Sequence, residues 1–426
     1  MGGKASLILV TGFSFILGYI SMNLSNNANH TVENMAMYNE VTASHNLATA
    51  GANVALSMFY KDTTWRGPVS EDLSSGGLQG TFTARMDPVA GDKMRLRSTS
   101  TYTLDPGKRI HDTVEVFFDR TRRNSFSMFA WMTLFEGNVF WIDKDTVWGR
   151  VHSNGRLHVN GKPVFMQKVT TAKSFDPKVG TGTNNAIFKN GFETGVAAID
   201  FPNDLSELVS AANTVNGRKY ATDIWVTLVP GTSANNDGFA LVRSTAAGPI
   251  IDTVFLNNPA FNGVMLGSGR VNVQGTLDGK LSIASLQDLY IQDDVLYEHN
   301  PQYEASDDLL GLIAENNVVV ADNAANNSNC SIQGSVFCRT GSFGAEHYNT
   351  RPVSGTLQVY GSIVQDTRGA VGTFNASGIT HGFSKRYRYD DRLADPSFRP
   401  PYYPGFWVKT YAISNWWESY HTLETQ

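Results

Sequence analysis

The first 32 residues of this 426-residue chain carry one charged side chain, Lys4. Residues 5–24 are mostly apolar, and about 20 such residues are enough to cross the roughly 30 Å hydrocarbon layer of a membrane. A secretory signal has a shorter apolar core with a small-residue cleavage site after it, and no such site directly follows Leu24. The segment therefore predicts an uncleaved membrane and assembly helix, whose apolar residues are Leu7, Ile8, Leu9, Val10, Phe13, Phe15, Ile16, Leu17 and Ile20.

The helical pattern continues to about residue 60, because residues 25–60 contain no proline and one glycine. Small and apolar residues recur at spacings of three, four and seven, which places them in one stripe on a helix: Val41, Ala48, Gly51, Ala55 and Met58. A continuous helix of this length would be roughly 80 Å long at 1.5 Å per residue. Its first half needs lipid or other helices, and Ala48, Gly51 and Ala55 permit close packing against a sheet or a neighbouring subunit. A plain single-pass anchor with a stalk is the simpler alternative.

The sequence of this N-terminal segment resembles that of a known protein family. The apolar first half and the run Ala-Thr-Ala-Gly-Ala-Asn-Val-Ala at 48–55 resemble the first helix of type IV pilins and pseudopilins, most closely the minor PilX-like and GspK-like components. Segments 148–155 and 290–317 resemble uncharacterised β-rich envelope domains that follow PilX-like N-termini. The resemblance implies a structural subunit that assembles with other copies or other pilin-like subunits through its helix. Cleavage after Gly3 would put Ile8 at the fifth mature position, where most pilins carry glutamate.

Three alternating segments follow the helix: Gly80–Met86, Lys93–Thr103 and Ile110–Phe118. Turn residues separate them, so they predict an antiparallel meander of three strands. We place the helix at 1–62, the pilin-like meander at 63–125 and an aromatic linker at 126–145.

The remaining residues, 146–426, contain the pattern Gly-x-[Leu/Val]-x-Val-x-Gly at 155–161, 269–275 and 355–361. Alternating apolar residues give each short strand one buried face, and the glycines supply positive φ or room for a corner. Stacked short strands of this kind favour a β-solenoid-like domain, with a β-sandwich as the competing architecture. Residues 172–250 read as an inserted lobe. The predicted fold class is mainly β with a long N-terminal helix: a pilin-like helix with a β-meander, then a solenoid-like domain.

The search for chemistry yields no catalytic residue, no cofactor site and no metal site. Adjacent carboxylates at 293/294, 307/308 and 390/391 point to opposite faces of a regular strand and are interpreted as solvated turns or structural caps. No Asp-x-Asp-x-Asp-Gly calcium loop is present. His152 and His158 would share one face of a regular strand, but no third ligand lies nearby in the sequence.

Cys330 and Cys338 flank one predicted strand and turn. A disulfide across this small loop and a pair of buried free thiols are the two alternatives. The aromatic and proline-rich tail, 387–417, is interpreted as a cap on the open end of the coils, with sugar stacking or subunit contact as alternatives.

These features predict a non-enzymatic structural subunit, a minor pilin-like or pseudopilin-like component of a cell-envelope or extracellular filament. Its helix would contact membrane lipid and like helices, with the bulk of the chain periplasmic or extracellular. The alternative is a membrane-anchored carbohydrate-binding or carbohydrate-active β-solenoid protein. A net charge of −5 gives no electrostatic reason to expect a nucleic-acid partner.

Overall fold

The computed structural model describes residues 2–73, 80–89, 93–105, 108–143, 145–231, 238–375, 378–418 and 422–425. Helix α1 spans Gly2–Lys61 and helix α2 spans Ser206–Ala212. Short 3-10 helices span Phe126–Met128 and Asp391–Ala394. The chain forms two compact units: unit 1 contains Met1–Arg122 and Val408–Gln426, and unit 2 contains Arg123–Trp407. The predicted fold class, mainly β with a long N-terminal helix, is confirmed.

Unit 1 packs the second half of α1 on a sheet. Numbering the strands of the whole chain β1 to β31, the sheet contains β1 (Val69–Asp72), β2 (Gly80–Val89), β3 (Lys93–Asp105), β4 (Lys108–Ser125), β30 (Gly405–Glu418) and β31 (Thr422–Thr425). The order is β1-β2-β3-β4-β30, and β31 also pairs with β4. Strands β1 to β4 pair antiparallel. Strand β2 turns Phe82, Ala84 and Met86 inward and alternates them with exposed residues, as period-two patterning requires.

Unit 2 is built from short strands in parallel pairing. Its strands before the helix α2 are β5 (Trp131–Phe135), β6 (Trp141–Ile142), β7 (Thr146–Val147), β8 (Val151–Ser153), β9 (Leu157–Asn160), β10 (Val164–Phe165), β11 (Val169–Thr171), β12 (Phe175–Asp176), β13 (Ile187–Phe188) and β14 (Phe192–Thr194). Those after α2 are β15 (Arg218–Tyr220), β16 (Ile224–Val229), β17 (Phe239–Arg243), β18 (Ile250–Phe255), β19 (Val264–Gly267), β20 (Val271–Leu277), β21 (Lys280–Ser285), β22 (Leu289–Tyr297), β23 (Leu309–Ala314), β24 (Val318–Val320), β25 (Cys330–Cys338), β26 (Phe343–Ala345), β27 (Val353–Thr367), β28 (Gly372–Asn375) and β29 (Gly378–Tyr389).

Successive strands of unit 2 lie on three faces in turn, and on each face the strands form ladders of parallel pairs. Face 1 runs through β15, β19, β21, β23, β25, β27, β5, β8, β11 and β14. Face 2 contains β16, β20, β22, β24 and β26, and also the ladder β6-β9-β12. Face 3 contains the later parts of β20 and β22, the earlier parts of β25 and β27, and β29, and also the ladder β7-β10-β13. We call this solenoid-like arrangement the coil stack.

The coils do not stack in chain order. Strand β27, from the last coil in the sequence, pairs in parallel with β5, the first strand of unit 2 in the sequence, with Ile363 opposite Trp131. The coils of residues 131–194 therefore continue the stack that residues 218–389 begin. Residues 195–217, which include α2, connect β14 to β15 at the other end of face 1.

The core of the coil stack consists of apolar columns, because parallel strands in register place equivalent residues above one another. One column on face 1 contains Ile283, Leu312, Val336, Ile363, Trp131, Val151 and Val169, all at most 3% exposed. The final glycine of each repeated motif lies at positive φ, with 113° at Gly161, 107° at Gly275 and 150° at Gly361. At Gly361 a Cβ would lie 1.9 Å from the Gly334 carbonyl oxygen of the neighbouring coil, so a side chain there would break the stack.

The boundaries differ from the sequence prediction in two places. The meander gains β1 and the C-terminal strands β30 and β31, so the tail beyond residue 407 belongs to unit 1 instead of the coil domain. Residues 172–250 are only partly an insertion, because β12, β13 and β14 belong to coils and β16 pairs in parallel with β20. The excursion is the antiparallel extension β16-β17-β18.

Candidate assembly surface on helix α1

The first part of α1 has no covering partner among the described residues. Every residue from 7 to 39 is exposed, including all nine of the predicted apolar residues. Phe15 and Ile8 are 81% and 72% exposed. Residues Leu7–Lys61 form a helix long and apolar enough to span a membrane, and its most apolar 18-residue window has a mean hydropathy of 1.8 with none of it buried. We call residues 7–39 the free segment; an apolar surface of this length is far larger than a soluble monomer ordinarily leaves in water.

The second part of α1 is seated on the sheet of unit 1. Its buried residues fall three or four apart along one helix face: Ser44, Leu47, Ala48, Gly51, Ala52, Ala55 and Phe59. Apart from Leu47 and Phe59 the side chains of this stripe are small, which lets the helix lie close to β2 and β3. We call residues 44–61 the seated segment.

Gly51 lies at the closest approach. A Cβ at this position would lie 2.4 Å from Ser98 Oγ and 2.6 Å from the ring of Phe82, closer than real Cβ contacts. At Gly12 and Gly18, in the free segment, a Cβ would meet nothing within 4 Å. The glycine at 51 is therefore needed for packing, whereas the other two have no packing role within the described chain.

Polar contacts fix the register of the seated segment. Ser44 Oγ lies 2.9 Å from Ser100 Oγ, and His45 Nδ1 lies 3.1 Å from Asp112 Oδ2. At the far end the Phe59 ring meets Tyr411 edge-on at 4.9 Å between centroids. Strand β30, from the C-terminal end of the chain, thus helps to hold the N-terminal helix.

The predicted assembly residues therefore divide into two groups. The nine apolar residues from Leu7 to Ile20 are exposed and available to lipid or to other helices. Ala48, Gly51 and Ala55 are buried under the chain's own sheet, which is one of the two packing partners that the sequence left open. Of the two partners allowed by small residues, the sheet is the one observed.

The two cysteines form no disulfide. Cys330 and Cys338 are the two ends of the nine-residue strand β25, and both are buried free thiols. Eight residues of extended chain at about 3.3 Å each, even with a corner between faces, separate the Cα atoms beyond the roughly 7 Å that a disulfide tolerates. Burial, with Asp294 and Asp293 nearby, raises the pKa of Cys330 to about 12, so its thiol stays protonated and unreactive.

The acidic pairs contain structural caps. Asp390 is 1% exposed and binds Arg392 at 2.7 Å. Asp308 is 1% exposed and accepts the Gly279 backbone N–H at 2.7 Å. Asp294 accepts the Ser331 backbone N–H at 2.7 Å.

The histidines do not share a strand. His152 lies on β8 and His158 on β9, which belong to different faces. His152 is buried between Thr170 and Asn154, at 2.8 and 2.9 Å, and burial lowers its pKa. Among the residues that the structure describes, no three His, Cys, Asp or Glu side chains converge on a metal position.

The aromatic tail is divided between the two units. Tyr387 and Tyr389 lie in β29 of the coil stack, and Tyr403 is 2% exposed with its hydroxyl donating to the Val336 carbonyl at 2.9 Å. Trp416 and Trp417 lie in β30, in unit 1. Tyr403 therefore seals the side of the coil stack, and the tail as a whole does not cap one end.

One buried cluster was not signalled by the sequence. Arg368 and Glu136, 2% and 1% exposed at their side chains, pair at 2.9 Å, and the guanidinium lies 4.1 Å from the ring centre of Trp141. Lys385 pairs with Asp145 at 3.3 Å nearby, and burial lowers the pKa of Lys385. The cluster lies where β27 meets β5. Its members are distant in sequence, so only the pairing of those two strands brings them together.

The comparisons with known proteins include a structural likeness to a pilin. No family model matches the chain, and the comparison with curated proteins finds no match. The chain is similar to the competence-associated pilin ComZ from Thermus thermophilus, with a TM-score of 0.39 and 12% identity over 91% of this chain and 98% of that one. A TM-score below 0.5 at this identity does not establish a shared fold. The function of this chain is therefore argued from its own residues.

Proposed function

We propose that this protein is a non-enzymatic structural subunit, minor pilin-like or pseudopilin-like, of a cell-envelope or extracellular filament. The free segment inserts in a membrane before assembly and packs against the same segment of other subunits afterwards. Unit 1 seats the helix, and the coil stack of unit 2 is a β-solenoid displayed in the periplasm or outside the cell. The observation that carries the proposal is the free segment: 33 consecutive exposed residues with the apolar window entirely uncovered.

The charges of the free segment support an environment of lipid or packed helices. Between Leu7 and Asn39 the only Asp, Glu, Lys or Arg residue is Glu33, and His30 lies 3.4 Å from it. A charged side chain at the centre of a bilayer is costly, and the apolar stretch here is uninterrupted over the length that a bilayer requires. The helix is also continuous from the free segment into the seated segment. The free segment is therefore joined to unit 1 by helix, with no loop between them.

Cross-linking in intact envelopes tests the assembly. Both natural cysteines are buried, so a Met22→Cys variant carries one accessible thiol, in the free segment, and Arg156→Cys carries one on the coil stack, where the side chain is 59% exposed. We expect a membrane-permeant bis-maleimide to join Met22→Cys chains to each other or to another subunit. Arg156→Cys should cross-link far less.

The result that contradicts the proposal is a chain that remains monomeric in both variants at native expression. Equal cross-linking of both variants would indicate non-specific aggregation and would also count against helix-mediated assembly. Extraction with alkaline carbonate gives an independent check, because an inserted helix keeps the protein in the membrane pellet.

A further inference from the structure

Two carboxylates are stacked at one corner of adjacent coils. Strands β20 and β22 pair in parallel with Leu277 opposite Tyr297, so the next residues, Asp278 and Glu298, follow in the same register. The Glu298 backbone N–H donates to the Leu277 carbonyl at 2.7 Å, which continues the ladder to this corner. The two side chains are near enough to share a hydrogen bond if one of them carries a proton.

Each of these carboxylates has a buried oxygen without a partner. Asp278 is 3% exposed. Its Oδ2, and Oε2 of Glu298, are shielded from solvent and accept no hydrogen bond from any described residue. Gly238 covers this corner so closely that a Cβ there would lie 2.5 Å from the Asp278 carbonyl oxygen. A buried carboxylate oxygen with no donor is unfavourable by itself, and two facing each other add repulsion.

His299 lies close enough to act on Glu298, but among the described residues no cationic side chain forms an ion pair with Asp278 or Glu298. A nearby carboxylate, Asp308, already accepts the Gly279 and His299 backbone N–H groups at 2.7 and 3.1 Å. The nearby cationic side chains pair with other carboxylates: Lys280 with Asp307 at 3.7 Å, His299 with Glu304 at 3.5 Å and Arg392 with Asp390 at 2.7 Å.

We propose that Asp278 and Glu298 together bind a calcium ion. Calcium prefers carboxylate, carbonyl and water oxygens in a flexible geometry, and these two neighbouring carboxylates offer two unpartnered oxygens. Because no three acidic, His or Cys side chains converge among the described residues, carbonyl and water oxygens complete the coordination. A site with two carboxylates fits the weak range of extracellular calcium modules, about 10⁻⁴–10⁻³ M.

Solvent reaches the neighbourhood of this corner. A surface cleft of about 270 Å³ begins at the next residues of the chain, lined in part by Gly279, Lys280 and Asp307. The cleft is therefore adjacent in sequence to Asp278, through Gly279 and Lys280. The inference does not depend on the filament proposal, since it rests on the coil stack alone.

The test measures the melting temperature of the full chain in detergent with 5 mM CaCl₂ or with a chelator. Ligand binding to the folded state alone should raise the midpoint for the coil stack by on the order of 2–4 °C. Glu298→Gln and Asp278→Asn should abolish this rise. The matched control is Asp293→Asn, an exposed carboxylate of the same strand β22, which should keep it.

A second measurement covers variants that fold poorly. Equilibrium dialysis of the wild-type chain against CaCl₂ should give one bound calcium per chain, and Glu298→Gln, which keeps the side-chain length and can donate to Asp278, should lose it. No bound calcium in the wild type, or binding retained in both variants, overturns the proposal. A proton shared between the two carboxylates would produce the first of these results.

Discussion

The free and seated segments of α1 belong to one uninterrupted helix, yet they meet opposite physical demands. The free segment presents large apolar side chains and leaves every one of them exposed, whereas the seated segment buries a stripe of mostly small residues against β2 and β3. Glycine shows the contrast most directly: Gly51 has no room for a Cβ and Gly12 has nothing within 4 Å. Large residues therefore mark the surface that other molecules must cover, and small residues mark the surface that the chain covers itself.

The largest expected effect on the seated segment comes from Phe59→Ala. Phe59 is fully buried and contacts Phe118 and Tyr411 with ring centroids 5.7 and 4.9 Å apart, so its removal leaves a cavity that costs about 3–5 kcal/mol. Denaturant unfolding of the full chain, with hydrogen exchange of β3 and β4 as the local readout, measures the loss. The control Met58→Ala, at a 39% exposed position, should cost much less, and equal losses would mean that the segment is not seated as described.

The matching change in the free segment is Ile16→Asp. Ile16 is 55% exposed, so the substitution should leave the unfolding of unit 1 unchanged. In a membrane it should disfavour insertion by roughly 3–4 kcal/mol, which appears as loss of the chain from the carbonate-extracted membrane pellet. Ile16→Leu is the control. If Ile16→Asp stays membrane-bound, or if it destabilises unit 1, the two segments do not differ in the way proposed.

The comparison is sharpened by placing the same substitution in both segments. Gly51→Ala should destabilise unit 1 by about 1–3 kcal/mol, because the new Cβ forces Phe82 and Ser98 to move. Gly12→Ala adds the same methyl group to a surface that nothing in the described chain approaches, so the unfolding of unit 1 should not change. Identical free energies of unfolding for the two variants would contradict the close approach at Gly51.

The smallest effect is expected for Ser44→Ala. This change leaves Ser100 Oγ without its 2.9 Å partner in a buried position and should cost about 1 kcal/mol. The double variant with Ser100→Ala should cost less than the sum of the two single variants, because it removes both partners together. Ser25→Ala, in the free segment, is the control. A strictly additive double variant would show that the two hydroxyls do not interact.

The sequence predicted the local features of this chain and their order. The long helix follows from an apolar run without proline. Spacings of three and four predicted Ala48, Gly51 and Ala55 of the buried stripe, but the predicted Val41 is half-buried and Met58 is exposed. The turn-bounded alternating strands of β2, β3 and β4 follow from period two, and the glycine corners at Gly161, Gly275 and Gly361 from the repeated motif. Each of these depends on residues within a few turns of one another, which is the range that periodicity and turn chemistry can report.

The tertiary structure decided which distant segments meet. No local pattern predicts that β27 pairs with β5, which brings Arg368 and Glu136 together as a buried ion pair. Nor does any local pattern predict that β30 places Tyr411 against Phe59. For the cysteines, the sequence left a disulfide and two free thiols as alternatives. The structure decides between them, because Cys330 and Cys338 lie at opposite ends of strand β25. Backbone hydrogen bonds between parallel strands are alike for every apolar segment, so long-range pairing is selected by the fit of whole columns of side chains, and that fit exists only once the chain has folded.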